Sequence, residues 1–112
     1  MKREPKLLVV SAIADTAGIM YTTPGGTWTT ISAMTVTNTT GNVVDVTVYL
    51  VPSGGSPDAT NAILFERNLS PGESRIIGEA VGQTLHPGGT IQAVAGTAAS
   101  LNMVASGYET VA

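Results

Sequence analysis

The sequence has no cysteine and only one histidine in 112 residues. Disulfide bonds and thiolate nucleophiles are therefore excluded, and a structural zinc site has no adequate set of ligands. The single histidine, His86, directly precedes Pro87 in a predicted turn, and no G-x-S-x-G motif accompanies it. We expect His86 to be an exposed turn residue and not a catalytic base.

Charged residues are also scarce, at 12 % of the chain, and the formal net charge is −3. A negative chain has no general electrostatic attraction to nucleic acid or to an anionic membrane. The charge is uneven, because Lys2, Arg3 and Lys6 against Glu4 give residues 1–6 a charge of +2. The remainder has two arginines against seven acidic residues, which is −5. The basic arm could dock on an acidic face of a neighbouring subunit, or it could be an ordinary frayed terminus.

No apolar run approaches the roughly 20 residues that a membrane-spanning helix needs. Residues 2–14 imitate a signal peptide, with a basic start, a short apolar stretch and small residues after it. The apolar stretch is too short for that function and Pro5 interrupts its approach, so we interpret the segment as a first β-strand. The low charge also indicates a chain that is buried in an assembly, since soluble monomers carry more surface charge. We therefore expect a homo-oligomer.

Threonine, valine, glycine and alanine fill long stretches, which favours β-strands over helices. The clearest strand is 42–51, where Val44, Val46, Val48 and Leu50 alternate with more polar residues. Turn signals recur at short spacing between such runs, which is typical of a sandwich or a barrel. The pattern predicts about eight strands and no helix, at 7–14, 19–22, 28–37, 42–51, 63–68, 74–78, 90–95 and 101–110.

The predicted fold class is all-β, a single antiparallel β-sandwich that is either immunoglobulin-like or a jelly roll. A chain of 112 residues forms one domain. We expect an N-terminal arm and first strand over 1–18, and the body of the sandwich over 19–112.

Groups that could perform chemistry are missing elsewhere in the chain. The nearest approach to a calcium loop, 56–61, offers one carboxylate at Asp58 and one amide at Asn61. The glycines at 24–26 and 53–55 lack the lysine and the following helix of a phosphate-binding loop. We predict that the chain is not an enzyme and that it binds no cofactor and no metal.

Aromatic residues number only five, and two basic residues lie outside the arm, which argues against a single-strand nucleic-acid groove. Trp28 follows a Gly-Gly turn, and we expect it to fill the core, the alternative being an exposed anchor. An exposed aromatic patch containing Trp28, Tyr49 or Tyr108 would instead indicate a recognition surface.

Several turn motifs recur along the chain. The segment 21–26 reads YTTPGG, 37–41 reads TNTTG and 51–55 reads VPSGG, and Leu-x-Pro-Gly occurs at 69–72 and again at 85–88. These motifs resemble those of small virion proteins of tailed bacteriophages. The resemblance covers about residues 19–109, and its motifs are turns and strands. Such proteins serve as capsid decoration or as tail- and fibre-associated parts, and no catalytic residues accompany the pattern.

The resemblance implies a structural component of a bacteriophage virion, most simply a multi-copy capsid decoration or cement protein that acts through subunit interfaces. The alternative is a tail-tip or fibre-associated module that recognises a host glycan or protein. The expected location is the virion, and the expected partners are other virion proteins, such as major capsid or tail subunits, with no nucleic acid and no membrane. Six residues are the predicted interface: Lys2, Arg3, Lys6, Leu7, Trp28 and Tyr108.

Overall fold

The computed structural model describes residues 2–111, which form nine β-strands and one short 3-10 turn at Gly78–Ala80. No helix among them is long and apolar enough to cross a membrane. The strands, in chain order, are β1 (Lys2–Ile13), β2 (Gly18–Thr22), β3 (Thr27–Asn38), β4 (Val44–Val51), β5 (Ala62–Leu69), β6 (Ser74–Ile76), β7 (Thr84–Leu85), β8 (Thr90–Ala95) and β9 (Leu101–Val111).

The strands form two antiparallel sheets that pack as a sandwich. The first sheet has the order β1-β9-β3-β6, and the short β7 pairs with the free part of β3. The second sheet has the order β2-β8-β4-β5. The all-β sandwich predicted from the sequence is confirmed.

The pairing of the strands identifies the sandwich as a jelly roll. β1 pairs with β9, β2 with β8, β3 with β6 and β4 with β5, so the pairs are nested along the chain. This nesting corresponds to one long antiparallel ribbon that is rolled so that successive pairs alternate between the sheets. The contacts β3·β9 and β4·β8 then close each sheet. A jelly roll has this double-sheet arrangement, and of the two predicted architectures it is the one present.

The core lies between the sheets and follows from alternation along the strands. In β4, Val44, Val46 and Val48 are buried while Asp45 and Tyr49 face away from the core. In β9, Leu101, Met103 and Ala105 are buried in the same way. Both sheets therefore place one apolar face inside the sandwich.

One buried polar residue joins the ends of three strands. Asn38 is fully buried, and its amide donates to the carbonyl oxygens of Asn42, Leu69 and Ser70. Its side-chain oxygen accepts from the backbone N–H and the hydroxyl of Thr40. Because every polar group of the side chain has a partner, the asparagine can lie inside the protein and fix the β3–β4 turn against the end of β5.

All eight predicted strands are present, with two differences. β7 has only two residues and was not predicted. β1 begins at Lys2 and not at Leu7, because residues 2–6 pair with residues 107–111 at the end of β9. The basic part of the predicted N-terminal arm is thus an extension of an edge strand of the sandwich, and Met1 lies outside the described residues.

Candidate subunit interface

The outer face of the first sheet is organised in rows that cross its strands. Residues paired in an antiparallel sheet point to the same face. Val10 pairs with Val104, Val104 with Thr35, and Thr35 with Ile76, so these four form one row. Their neighbours along the strands, such as Met103, are in the core. The row therefore points away from the second sheet.

Three of the four residues in this row are apolar and exposed. The exposed fraction is 65 % for Val10, 47 % for Val104 and 73 % for Ile76. No charged residue lies on either side of it. We call this area the uncharged face, and it consists of Leu7, Val10, Ala12, Ser32, Ala33, Thr35, Thr37, Ser74, Ile76, Asn102, Val104 and Ser106.

The same outer face ends in an aromatic cluster. The Trp28 and His86 rings are in contact, with centroids 4.2 Å apart and planes tilted by 52°. Trp28 pairs with Thr110 on β9, and Thr110 pairs with Arg3 on β1. The guanidinium carbon of Arg3 lies 4.0 Å from the centroid of the Tyr108 ring, a cation–π geometry. Among the described residues, Arg3 is the one charged side chain on the outer face of this end, and its charge lies against an aromatic ring.

Trp28 is 42 % exposed, so the expectation that it fills the core is wrong. Its neighbours Thr27 and Thr29 are buried instead. The exposed aromatic residues of this face are therefore Trp28 and, in part, Tyr108, while Tyr49 lies on β4 of the other sheet. His86 follows β7 and is exposed, as expected for a turn histidine.

A polar network occupies the inner side of the same end, between the two sheets. The Tyr21 hydroxyl donates to a Glu109 carboxylate oxygen at 2.5 Å and lies 2.8 Å from the Thr29 hydroxyl oxygen. The Lys6 ammonium lies 3.2 Å from the same carboxylate. Burial and the hydrogen bond to Glu109 raise the pKa of Tyr21 to about 12, because both disfavour the phenolate. The network links β1 and β9 of one sheet to β2 of the other.

The six predicted interface residues divide between the two sides of the first sheet. Arg3, Leu7, Trp28 and Tyr108 share the outer face, at and next to the aromatic cluster. Lys2 and Lys6 alternate with Arg3 and lie on the other side of β1.

Both of these lysines have acidic partners within the chain. The Lys2 ammonium lies 2.7 Å from a Glu4 carboxylate oxygen, and Lys6 pairs with Glu109. Glu4 raises the pKa of Lys2 through a hydrogen bond and charge attraction. Whether any of the six contacts another subunit stays a prediction.

The sequence reasoning missed Val10, Val104 and Ile76, the exposed apolar residues of the uncharged face. A signal existed for Val104, since it alternates with the core residues Leu101, Met103 and Ala105 and yet is apolar. An apolar residue on the nominally polar side of a half-buried strand indicates a second surface to be covered.

The other surface depressions described offer no set of side chains arranged for metal binding or catalysis. One, on the outer face of the second sheet, contains Asp15, Asp45 and Glu66. Between Lys2 and Val111, no three acidic, histidine or cysteine side chains are grouped so that they could hold a metal ion. The carboxylate of Asp58 accepts from the backbone N–H and the hydroxyl of Thr60 within its own loop, which lowers the pKa of Asp58.

Comparison with known proteins gives a fold neighbour and no family. No family model matches the chain, and no curated protein matches it. Among solved structures, a chain in the structure of infectious bursal disease virus, Gx strain, aligns with 99 % of this chain at a TM-score of 0.52 and 14 % sequence identity. This chain spans about a third, 32 %, of that viral chain. At this identity the likeness establishes a shared fold, and the phage-specific part of the prediction gains no support from it.

Proposed function

We propose that this chain is a structural component of a virus particle that is present in many copies and acts through subunit contacts, without catalytic activity. The observation that carries the proposal is the uncharged face with its exposed row of Val10, Val104 and Ile76. A contiguous apolar patch exposed on the outside of a protein often marks a surface that another molecule covers.

The composition of this face suits burial. Moving a charged group out of water is costly unless it finds a partner, and the centre of protein interfaces is depleted of charge for this reason. The uncharged face has aliphatic and hydroxyl side chains and one amide, Asn102, and the burial of these groups carries a smaller desolvation penalty than the burial of charges. Any neighbour that offers a flat apolar surface with matching hydroxyl or backbone groups could cover it.

The size of the face indicates a contact that is repeated in an assembly. Together with the aromatic cluster it extends about 26 Å along β9 and about 19 Å across four strands, which is about 500 Å². Specific interfaces bury about 800 Å² on each partner, and about 500 Å² is near the lower limit. One such contact is weak, but several simultaneous contacts in a particle reinforce one another.

The fold is consistent with this role, since jelly rolls are common in viral capsids and a viral chain shares the fold. A shared fold does not by itself transfer a function. The finer proposal, that the particle is a tailed bacteriophage and that the chain decorates or cements its capsid, draws on the turn motifs at 21–26, 37–41 and 51–55.

A second function, recognition of a host glycan or protein at a tail tip or fibre, is favoured by one observation. Trp28 and His86 form an exposed aromatic pair at the end of the sandwich, with Arg3 and Tyr108 nearby on the same face. Aromatic residues and arginine are enriched at the energetic centres of binding surfaces.

Locating the chain in purified particles by electron microscopy, with copy number from quantitative mass spectrometry, tests both functions. Many copies on the particle shell support the structural role. A few copies confined to a tail tip support recognition and contradict the structural role. A chain that is absent from purified particles contradicts both.

A further inference from the structure

The four edges of the two sheets differ in how well they are protected. Unpaired strand edges attract other strands unless they are short, bulged or charged. β6 has three residues and β2 has five residues with an irregular register. β5 is charged at Glu66 and Arg67, and at Glu66, whose φ is 46°, its register with β4 is irregular. The remaining edge, β1, is 12 residues long.

Only the first half of β1 is protected. Pro5 has no backbone N–H to offer, and the register with β9 shifts between Leu7 and Val9. From Val9 to Ile13 the register with β9 is unbroken and no residue is charged. Ser11 pairs with Met103 on the core side of the sheet and is nevertheless exposed, whereas Val9 and Ile13 on the same side are buried, so the second sheet leaves this edge open at Ser11.

We propose that Val9–Ile13 joins two copies of this chain, edge to edge and antiparallel, with Ser11 on the twofold axis. The proposal deepens the proposed function and rests on it for its biological role, because it names a contact from which the assembly would be built. Symmetric pairing of this kind is isologous, so one segment supplies both sides of the contact.

The segment is complementary to itself in this register. Val9 lies opposite Ile13 of the second copy and both point to the core side, while Val10 lies opposite Ala12 and both point outward. Ser11 meets its own copy, and two directly opposed serine side chains can share a hydrogen bond. If the axis passed through Val10 instead, Leu8 would lie opposite Ala12. These two side chains point to opposite faces of the sheet, because Leu8 packs against the core and Ala12 faces outward. The irregularity at Leu8 therefore favours the register centred on Ser11.

One further feature favours a second copy over an unrelated strand. The pairing joins the two outer faces, each made of the uncharged face and its aromatic cluster, into one continuous surface on an eight-stranded sheet, which doubles the area available to a further neighbour from about 500 Å² to about 1,000 Å².

The absence of cysteine in the chain makes a direct test possible. In Ser11→Cys the two thiols would be directly opposite each other, with Cβ atoms about 4.5–5.5 Å apart, so that a small backbone adjustment at this open edge brings them to the roughly 3.5–4.5 Å of a disulfide bond. Ser56→Cys, in the exposed loop between β4 and β5, is the matched control. After mild oxidation, we expect most of Ser11→Cys to migrate at twice the 11.4 kDa chain mass on a non-reducing gel, and Ser56→Cys to remain at 11.4 kDa.

Sedimentation equilibrium gives a second readout that does not need a disulfide. The wild-type chain and Ser56→Lys should sediment as dimers, whereas Ser11→Lys places two like charges opposite each other and should sediment as a folded monomer, with an unchanged circular dichroism spectrum. A monomeric wild-type chain, or equal crosslinking of the two cysteine variants, would overturn the proposal. Neither result bears on where the chain lies in a particle. The dimer proposal can therefore fail while the proposed function, which is tested by location and copy number, still holds.

Discussion

At the scale of single residues, Gly107 lies where the backbones of two strands approach each other closely. This residue is buried in β9, and a Cβ atom added there would collide with the carbonyl oxygen of Thr30 on β3. The contact follows from the register shift in β3 between Ile31 and Ala33, which brings the β3 backbone against β9. Only a residue without a side chain fits at this position.

Gly107→Ala should therefore destabilise the fold by about 2–3 kcal/mol, since backbone atoms must move to admit the methyl group. Gly41→Ala is the control, because a Cβ there meets nothing within 4 Å. Urea unfolding of both variants measures the difference. Equal midpoints for the two variants would show that β3 can move away from β9 at little cost.

Trp28 shows where prediction from single residues fails. Met34 and Val36 are buried, and alternation from them places residue 28 on the core side. The irregularity at Ser32 reverses this alternation, so that Thr27 and Thr29 are buried and Trp28 is exposed. A bulge cannot be recognised from the amino-acid composition. The exposure of Trp28 therefore could not be predicted without knowing how β3 pairs with β9.

At the scale of strands, Tyr21 links the two sheets through its bonds to Glu109 and Thr29. Its pKa is raised to about 12 in the folded chain, against about 10 in an unfolded one. The stabilisation that Tyr21 gives the folded chain is complete below pH 10. It is lost as the pH rises from 10 to 12, because the Tyr21 phenol ionises at lower pH in the unfolded chain than in the folded one.

Tyr21→Phe should cost about 1.5 kcal/mol below pH 10, the lower end of the range for a hydrogen bond to a charged group, because the bond to the Glu109 carboxylate is only partly buried. Between pH 10 and 12 the stability of the wild type should fall more steeply than that of Tyr21→Phe, so that the gap narrows. Urea midpoints of both proteins at pH 8 and across this range measure the effect, and the other two tyrosines are common to both. If the urea midpoints of the two proteins fell in parallel over this pH range, the role of the Tyr21 hydroxyl in linking the sheets would be contradicted.

Most strands could be predicted from the sequence because alternation and turn residues are local. β4 is the clearest case, with Val44, Val46 and Val48 all buried. β7 could not be predicted, because Thr84 and Leu85 form a strand only by pairing with β3, some 55 residues away. The start of β1 at Lys2 depends likewise on pairing with Val111.

At the scale of the whole molecule, the order of strands decides which residues share the candidate interface. Arg3, Leu7, Trp28 and Tyr108 were predicted as interface residues from charge, aromaticity and position, and they do share one face. The uncharged face was not predicted, because Val10, Val104 and Ile76 come from three strands that are far apart in the chain. Their common row exists only through the pairing of those strands.

Val104→Lys tests this face in the assembled particle. Val104 lies in the centre of the row and is 47 % exposed, so the lysine should change the free energy of unfolding by less than about 1 kcal/mol. Burying its charge in a subunit contact should reduce incorporation into particles at least about tenfold.

Val43→Lys is the matched control for this variant, since Val43 is 60 % exposed in the turn before β4, away from the uncharged face. Incorporation is measured by quantitative mass spectrometry of particles assembled with each variant. Equal incorporation of both variants would show that the uncharged face is not buried in the particle.

The position of β9 in the sheet also governs how the chain acquires its structure during synthesis. β9 lies between β1 and β3, and it leaves the ribosome after both of them. Until β9 emerges, β1 and β3 lack the strand that lies between them. Lys2, for example, pairs with Val111, which is more than 100 residues later in the chain. Contacts so distant in sequence form slowly and leave apolar strands open to aggregation. The first sheet of the jelly roll must therefore assemble after translation of β9, with β1 joining it from the opposite end of the chain.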